Sequence, residues 1–432
     1  MTSPSLLILS GVRGDTRRYR SVHLAEQATM AGMQVTLAHA WQGGLLRLAK
    51  CNHFDLAVFQ RVEMDRFIRR MVYGLKSKGT IILYDTDDLV FDRDAFKYID
   101  SPDFSDPLRA KLYLRSMDRQ KEMLLASDAV LVSTDYLVRQ VWRLNKPVWV
   151  QRNAFSQELL AISDAAFQTR KAHPERIVLG YASGTRTHDR DFAVAAPAIK
   201  RTMERHPQVE LWLVGNIDPG AGWEHFRARV RRIPKVDWRE LPSWLVQFDI
   251  NLAPLVAGNP FAESKSAIKY MEAALVKCPT MATNCAEFRQ AIRSSENGFL
   301  AYDEQDWQEK LARLVEDAGL RQEMGTRAYQ DVMDKYHPLV RSKELLTTLN
   351  EVSMSFRGSS LLGNLIDNQS SSNANKAGFT YQKWGRVPGD IQRGWVTLWR
   401  RGPLELFGGI WVGLRRLLAP LFPFRKRKLN KN

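Results

Sequence analysis

The chain has 432 residues, 44% hydrophobic and 25% charged, and a formal net charge of +16. That length suits two domains with their own cores plus an appendage, at a composition ordinary for a globular protein. Three cysteines, Cys51, Cys278 and Cys285, without CxxC spacing or a nearby histidine cluster, exclude a disulfide framework or a zinc site and suit a reducing cytosol.

In chain order, Met1-Thr2-Ser3-Pro4 lacks a basic n-region. Leu6–Leu9 is too short for a signal-peptide core, so it reads as part of a first strand. Short β-rich runs follow at Leu6–Ser10, Gln34–His39, Asp55–Gln60, Thr80–Tyr84, Ala129–Val132 and Val148–Gln151, with helical spacing at 19–31, 64–78, 107–126 and 135–143. A second alternating set runs through Ile177–Tyr181, Glu210–Val214, Asp249–Ala253 and Pro279–Ala282, and Leu320–Tyr336 reads as a terminal helix. The alternation predicts an α/β fold of two Rossmann-like domains, 1–160 and 175–345, with ligands in the cleft beyond the carboxyl ends of the strands. Residues 364–380, rich in Asn, Gln, Ser and Gly, read as a flexible linker.

The most informative segment is 259–274. Asp249–Pro254 reads as a buried strand entering a turn, and the apolar stripe Ala267, Ile268, Met271, Leu275 predicts a helix. Glu263, Ser264, Lys265 and Ser266 are expected in its first turn. There, free N–H groups and the dipole favour an anion, Lys265 adds a cation, and Ser266 adds a hydroxyl donor. Glu272, a turn or two further on, suits ligand hydroxyls, so the segment reads as a cradle for a nucleoside diphosphate and its ribose. The alternative is an ordinary capped helix with a solvated charged face.

Other constellations fit the same cleft. Gly11 and Gly14 follow the first strand, where small residues let a backbone approach a ligand, and Arg17, Arg18 and Arg20 open the first helix. The full GxGxxG fingerprint is missing, which argues against a dehydrogenase. Asp85-Thr86-Asp87-Asp88 invites a divalent cation, but Asp87 and Asp88 read better as turn caps or acceptor-facing groups, with Arg61 in the same lobe. Gly184, Thr185, Arg186 and His188 lie in the loop after the strand at 177; Arg186 is the second expected phosphate ligand after Lys265. His39 is a weaker candidate, a core histidine being the alternative.

Residues 381–432 carry twelve Lys/Arg against Asp390 and Glu405, a net +10, which leaves +6 for the rest. Trp384, Trp395, Trp399, Trp411, Phe407, Phe422 and Phe424 are interleaved with these cations. Leu404–Leu414 and Leu417–Phe424 each fall short of the ~20 residues of a membrane span. The pattern reads as an amphipathic tail that lies on an anionic membrane surface through 381–428, ahead of nucleic-acid or partner-protein docking.

Leu179–Phe192, Glu240-Leu241-Pro242, Asp249–Leu255, Asn259–Glu272 and Asn297–Leu300 occur in an order and at spacings that resemble family 4 glycosyltransferases, the "glycosyl transferases group 1" type of bacterial surface polysaccharide synthesis. The resemblance implies the GT-B fold, with a nucleotide-sugar lobe at the C-terminal side and an acceptor lobe containing Arg18, Arg20, Arg61, Asp87 and Asp88. It implies a donor site of Gly11, Gly14, Gly184, Thr185, Arg186, His188, Ser264, Lys265, Ser266 and Glu272, with Arg186, Lys265 and Glu263 at the reacting centre. It further implies transfer to a lipid-linked or polysaccharide acceptor with retention, without metal or cofactor, by a cytoplasmic enzyme peripheral to the inner face of the membrane. The family's two glutamates stand at i and i+8. Glu272 fits the second, but Ser264 stands at the first, and Glu263, Ser264 and Lys265 are the candidates for its sugar-holding role. A non-catalytic scaffold, a sugar-nucleotide epimerase and a basic nucleic-acid-binding protein are the competing classes.

Overall fold

The computed structural model describes residues 3–171, 173–184, 188–358, 361 and 380–381. The tail at 382–432 and nearly all of the expected linker lie outside the described residues.

The N-terminal lobe is a parallel sheet of β1 (Ser5–Ser10), β2 (Gln34–His39), β3 (Leu56–Gln60), β4 (Ile81–Thr86), β5 (Ala129–Val132) and β6 (Val148–Val150), in the order β2-β1-β3-β4-β5-β6. The C-terminal lobe contains β7 (Ile177–Ser183), β8 (Val209–Gly215), β9 (Val230–Ile233), β10 (Ile250–Ala253), β11 (Thr280–Thr283) and β12 (Phe299–Ala301), in the order β12-β11-β10-β7-β8-β9 and also parallel. A two-residue strand, β13 (Thr380–Tyr381), adds to the outer edge of β2. The central strands are fully buried and mostly apolar, as expected where helices cover both faces of a parallel sheet, with Gln60, Asp85, Thr86 and Asn251 as their buried polar residues. Strand order reverses beside β1 in one lobe and beside β7 in the other, which sets two ligand crevices at the carboxyl ends of these strands. This is the GT-B architecture.

Most expected helices form where the periodicity places them, fixed by side-chain caps. Asp65 caps Arg66–Lys76, Asp106 caps Pro107–Ala126 and Thr134 caps Asp135–Trp142. The expected helix at 19–31 is instead a π-helical turn Arg18–Val22 followed by the helix His23–Met30, and a short helix Gly14–Arg17 precedes both. The segment expected to join the lobes contains a helix, Gln157–Gln168.

The expected boundary at 345 falls inside a further helix, Pro338–Arg357. That helix returns to the N-terminal lobe, where Leu345, Leu349 and Val352 complete the core on one face of the first sheet. Ser342 donates to the Gln27 carbonyl at 2.8 Å, and Arg357 pairs with Asp55 at 3.0 Å. The chain therefore crosses between lobes twice.

Candidate active site

The expected helix beginning at Glu263 is divided. Asn259 caps one turn, Pro260–Glu263, accepting from the Phe261 and Ala262 amides; Ser264–Ala267 are non-helical, and the next helix is Ile268–Leu275. The Ser264 hydroxyl is buried and donates to the Phe261 carbonyl at 2.7 Å, so Ser264 is turned inward, not toward a sugar. Ser266 accepts from the Asn153 amide at 2.7 Å across the cleft. Glu263 accepts from the Gly258 amide and lies 3.7 Å from Arg289.

Lys265 and Glu272, two of the expected donor ligands, both face the opposite lobe. Lys265 Nζ lies 2.6 Å from Asp88 Oδ1 and over the Phe261 ring at 4.3 Å. Asp88 Oδ2 accepts from Arg61 at 3.1 Å, and Arg61 also lies 3.7 Å from Asp87 Oδ1. Arg61 adopts a left-handed backbone, φ 47°, uncommon for a non-glycine residue; this bend ends β3 and aims its guanidinium at the two carboxylates. Burial would raise the Asp88 pKa, but Lys265 and Arg61 outweigh it and hold it below its ordinary value. Burial and the neighbouring Asp88 push Asp87 up to about 6. The Asp85–Asp88 run thus splits, Asp85 pairing with buried Arg20 while Asp87 and Asp88 share Arg61.

Glu272 accepts from Tyr19 Oη at 2.6 Å and from Arg18 at 3.2 Å. Both come from the π-helical turn after β1, a local widening of the helix that recurs at functional sites. The Arg18 guanidinium also pairs with Asp15 and lies over the Tyr19 and Trp238 rings at 4.3 and 4.7 Å. Arg20, expected on the acceptor side, is 2% exposed and bonded to Asp85, the Gln151 carbonyl and Asn153; it holds the lobe together from within.

Among the glycines, Gly11 leaves room for protein backbone. A Cβ there would stand 2.3 Å from the Arg61 carbonyl. Gly14 has φ +70°, and a Cβ at Gly184 would lie in ordinary contact with Lys235 at 3.8 Å and Asp15 at 4.0 Å. Thr185 and Arg186 lie outside the described residues. His188 Nδ1 bonds Asp191 at 2.8 Å; burial lowers its pKa, although Asp191 opposes the shift. His39 stacks on Trp41 at 4.5 Å, and burial, with Arg17 and Arg13 nearby, pushes its pKa down to about 4.

Lys269 escaped the sequence reading. It donates to the Ala182 carbonyl at the end of β7 and lies 4.6 Å from the Tyr181 ring, and burial pushes its ammonium down to about 8. Only its position, four residues after Lys265 and so in the same helical stripe, could have signalled it. Trp238 is the other: an isolated aromatic in a polar loop gave no pattern to read.

The site is therefore a cleft whose C-terminal wall offers a carboxylate (Glu272), two cations (Lys265 and Lys269) and a histidine. Its N-terminal wall offers Arg18, Tyr19, Arg61 and Asp88. A wall of fixed cations suits a developing phosphate charge, and a carboxylate at this depth suits paired hydroxyls.

Residues 176–317 match the sequence model of the family "Glycosyl transferases group 1". That match lies within the C-terminal lobe, and the two-lobed fold of the chain is that of GT-B glycosyltransferases. The structure is similar to sucrose-phosphate synthase from Thermosynechococcus elongatus (14% identity, TM-score 0.55, covering 82% of this chain and 100% of that one). It is also similar to the Anabaena protein HepE in complex with UDP-glucose (14%, 0.53, 80% and 99%) and to a glycosyltransferase from Rickettsia africae (10%, 0.56, 83% and 100%). No curated protein matches the chain.

Proposed function

We propose that the chain transfers a sugar from a nucleotide-sugar donor to a lipid-linked or polysaccharide acceptor. The observation that carries this reading is Glu272 facing the cleft on the helix Ile268–Leu275, with Lys265 just before that helix and Lys269 on it. In this reading Glu272 takes the ribose hydroxyls. Lys265 and Arg186 take the diphosphate, so that negative charge developing on the leaving group meets cations already in place. Glu263 or Lys265 takes the sugar-holding role that Ser264, turned inward, cannot fill. Asp87, Asp88 and Arg61 line the acceptor side.

Retention of configuration, independence of metal and a location on the cytoplasmic face of the membrane, with the tail at 381–428 on anionic lipid, belong to the same proposal. No described helix is long and apolar enough to cross a membrane. The complex of HepE with UDP-glucose supports a uridine donor as the first to try.

A second reading, a non-catalytic scaffold on the same fold, draws on one observation: Glu272 and Lys265 are both already paired across the cleft. Release of nucleoside diphosphate from a panel of sugar nucleotides, in the presence of membranes carrying lipid-linked glycans, separates the two. Acceptor-dependent release with one donor supports transfer, and none with any donor favours the scaffold.

A further inference from the structure

Asp191 holds His188 in a fixed orientation. His188 stands at the N-cap of the helix Asp189–Arg205, and Asp191 lies in its first turn, 8% exposed. Asp191 Oδ1 accepts from the Val256 amide at 3.0 Å, in the loop after β10, and Oδ2 lies 2.8 Å from His188 Nδ1. One carboxylate therefore ties the loop after β7 to the loop after β10. An ionised carboxylate only accepts, so Nδ1 carries the proton of the neutral ring and Nε2 is left as a bare acceptor. Nε2 has no hydrogen-bond partner among the described residues.

The histidine belongs to the cationic part of the cleft. The Tyr181 hydroxyl lies 3.5 Å from the His188 carbonyl, and Lys269 Nζ stands 4.6 Å from the same tyrosine ring. Burial, with Lys269 and Lys265 acting through space, lowers the His188 pKa against the opposing pull of Asp191. Asp88 of the other lobe feels the histidine in turn. Without ligand the ring is thus a neutral base among positive charges. A diphosphate brought against Lys265 and Lys269 reverses that balance. It offsets the cations that disfavour an imidazolium, and it offers oxygens to which an Nε2–H can donate.

We infer that Asp191 is a positioning residue that keeps His188 Nε2 free for the donor diphosphate, and that donor binding takes up a proton on this nitrogen. The proton comes from solvent, forms the Nε2–H bond and returns to solvent when the nucleoside diphosphate leaves; none passes to the sugar. The imidazolium adds its charge to those of Lys265 and Lys269 as the leaving group forms. This inference rests on the donor site proposed above and adds a proton to its binding equilibrium.

The test is isothermal titration of the full chain with UDP-glucose, GDP-mannose, dTDP-glucose and ADP-glucose between pH 5.5 and pH 7, in buffers of low and high ionisation enthalpy. A diphosphate esterified at both ends carries no proton that titrates there. Lys269, pushed down to about 8, titrates above this range, and Asp87, pushed up to about 6, is common to wild type and variants. Wild-type affinity is expected to fall as pH rises, by up to about tenfold per pH unit for one proton, with binding heats that report proton uptake. His188→Gln is expected to lose most of the uptake and to approach wild-type affinity at pH 7. Asp191→Asn is expected to move the pH dependence to lower pH, whereas loss of a merely structural contact would weaken binding equally at every pH. Thermal melts certify the folds, and if Asp191→Asn does not fold, His188→Gln decides. Wild-type binding without proton uptake, uptake that survives in His188→Gln, or an unmoved profile in folded Asp191→Asn would overturn the inference and leave the donor site standing. No binding of any of the four by wild type would overturn both.

Discussion

Tyr19 Oη donates to Glu272 Oε1 at 2.6 Å, a short hydrogen bond from the N-terminal lobe to the carboxylate assigned to the donor ribose. Arg18 reaches the same oxygen at 3.2 Å. Ribose hydroxyls must therefore displace Tyr19, Arg18 or both, and ligand entry becomes an exchange of partners on Glu272. Tyr19→Phe removes one competitor while keeping the ring. Hydrogen bonds to charged groups are worth about 1.5–3 kcal/mol, so nucleotide affinity is expected to rise several-fold while the ligand-free protein melts lower. Isothermal titration of both proteins checks this; weaker binding by Tyr19→Phe would mean that Tyr19 itself holds the ligand.

Lys265 is the mobile cation of the same wall, paired at 2.6 Å with Asp88. Lys265→Ala is expected to lower turnover by about 10²-fold or more, because a cation fixed near a developing phosphate charge is lost. Arg186→Ala is expected to do the same. Steady-state rates on the identified donor decide, and a rate within a factor of a few of wild type removes the residue from the centre.

Asp87 gives a pH-dependent prediction. Its pKa is pushed from 3.8 up to about 6 by burial and by Asp88, and its Oδ1 has no hydrogen bond among the described residues. A carboxyl whose folded pKa is raised supplies stability that is fully present below its unfolded pKa and lost as pH rises through the folded one. Asp87→Asn is therefore expected to be more stable than wild type above pH 6, with the advantage shrinking toward pH 4. Melting curves across that range check the sign; a variant less stable at pH 7 would show that the charged form is favoured.

Gly11→Ala tests the packing that sets the cleft. Its Cβ would meet the Arg61 carbonyl at 2.3 Å, and both groups are backbone that can yield only by moving β3 from β1. Such overpacking costs about 1–3 kcal/mol, to be read from urea unfolding. Because the same movement shifts Arg61 away from Asp88, donor turnover is expected to fall with stability.

Much of this was legible in the sequence because burial forces it. A strand covered on both faces must be apolar, so Leu6–Ser10 and Ala129–Val132 announce themselves. What periodicity could not show was where a helix breaks for a reason outside its own turn. Residues 19–31 have one continuous helical pattern, yet the π-turn at Arg18–Val22 forms where Arg20 is anchored by Asp85 and Tyr19 reaches Glu272, both far away in sequence. The helix expected from Glu263 breaks for a similar reason: Ser264–Ser266 dock on Thr134 and Asn153 of the other lobe. The return of Pro338–Arg357 was equally hidden, since its apolar stripe fits either lobe until the first sheet is seen to lack a cover. Glu272 and Lys265 stand out in the sequence by a local spacing, whereas Lys269 and Trp238 stand out only from their places beside the cleft.

The central claim is that Glu272 receives the donor's ribose. The measurement that tests it most directly is thermal stabilisation of wild type and Glu272→Gln by UDP, GDP, dTDP, CDP and ADP, each ribonucleotide beside its 2′-deoxy form. A ligand at 100 times its dissociation constant stabilises a fold by about 2.7 kcal/mol, well within reach of a melt. The account predicts that one ribonucleotide stabilises wild type clearly, that its deoxy form does so less, and that Glu272→Gln loses both the shift and the discrimination. An equal shift in wild type and Glu272→Gln would place the ribose elsewhere and contradict the account.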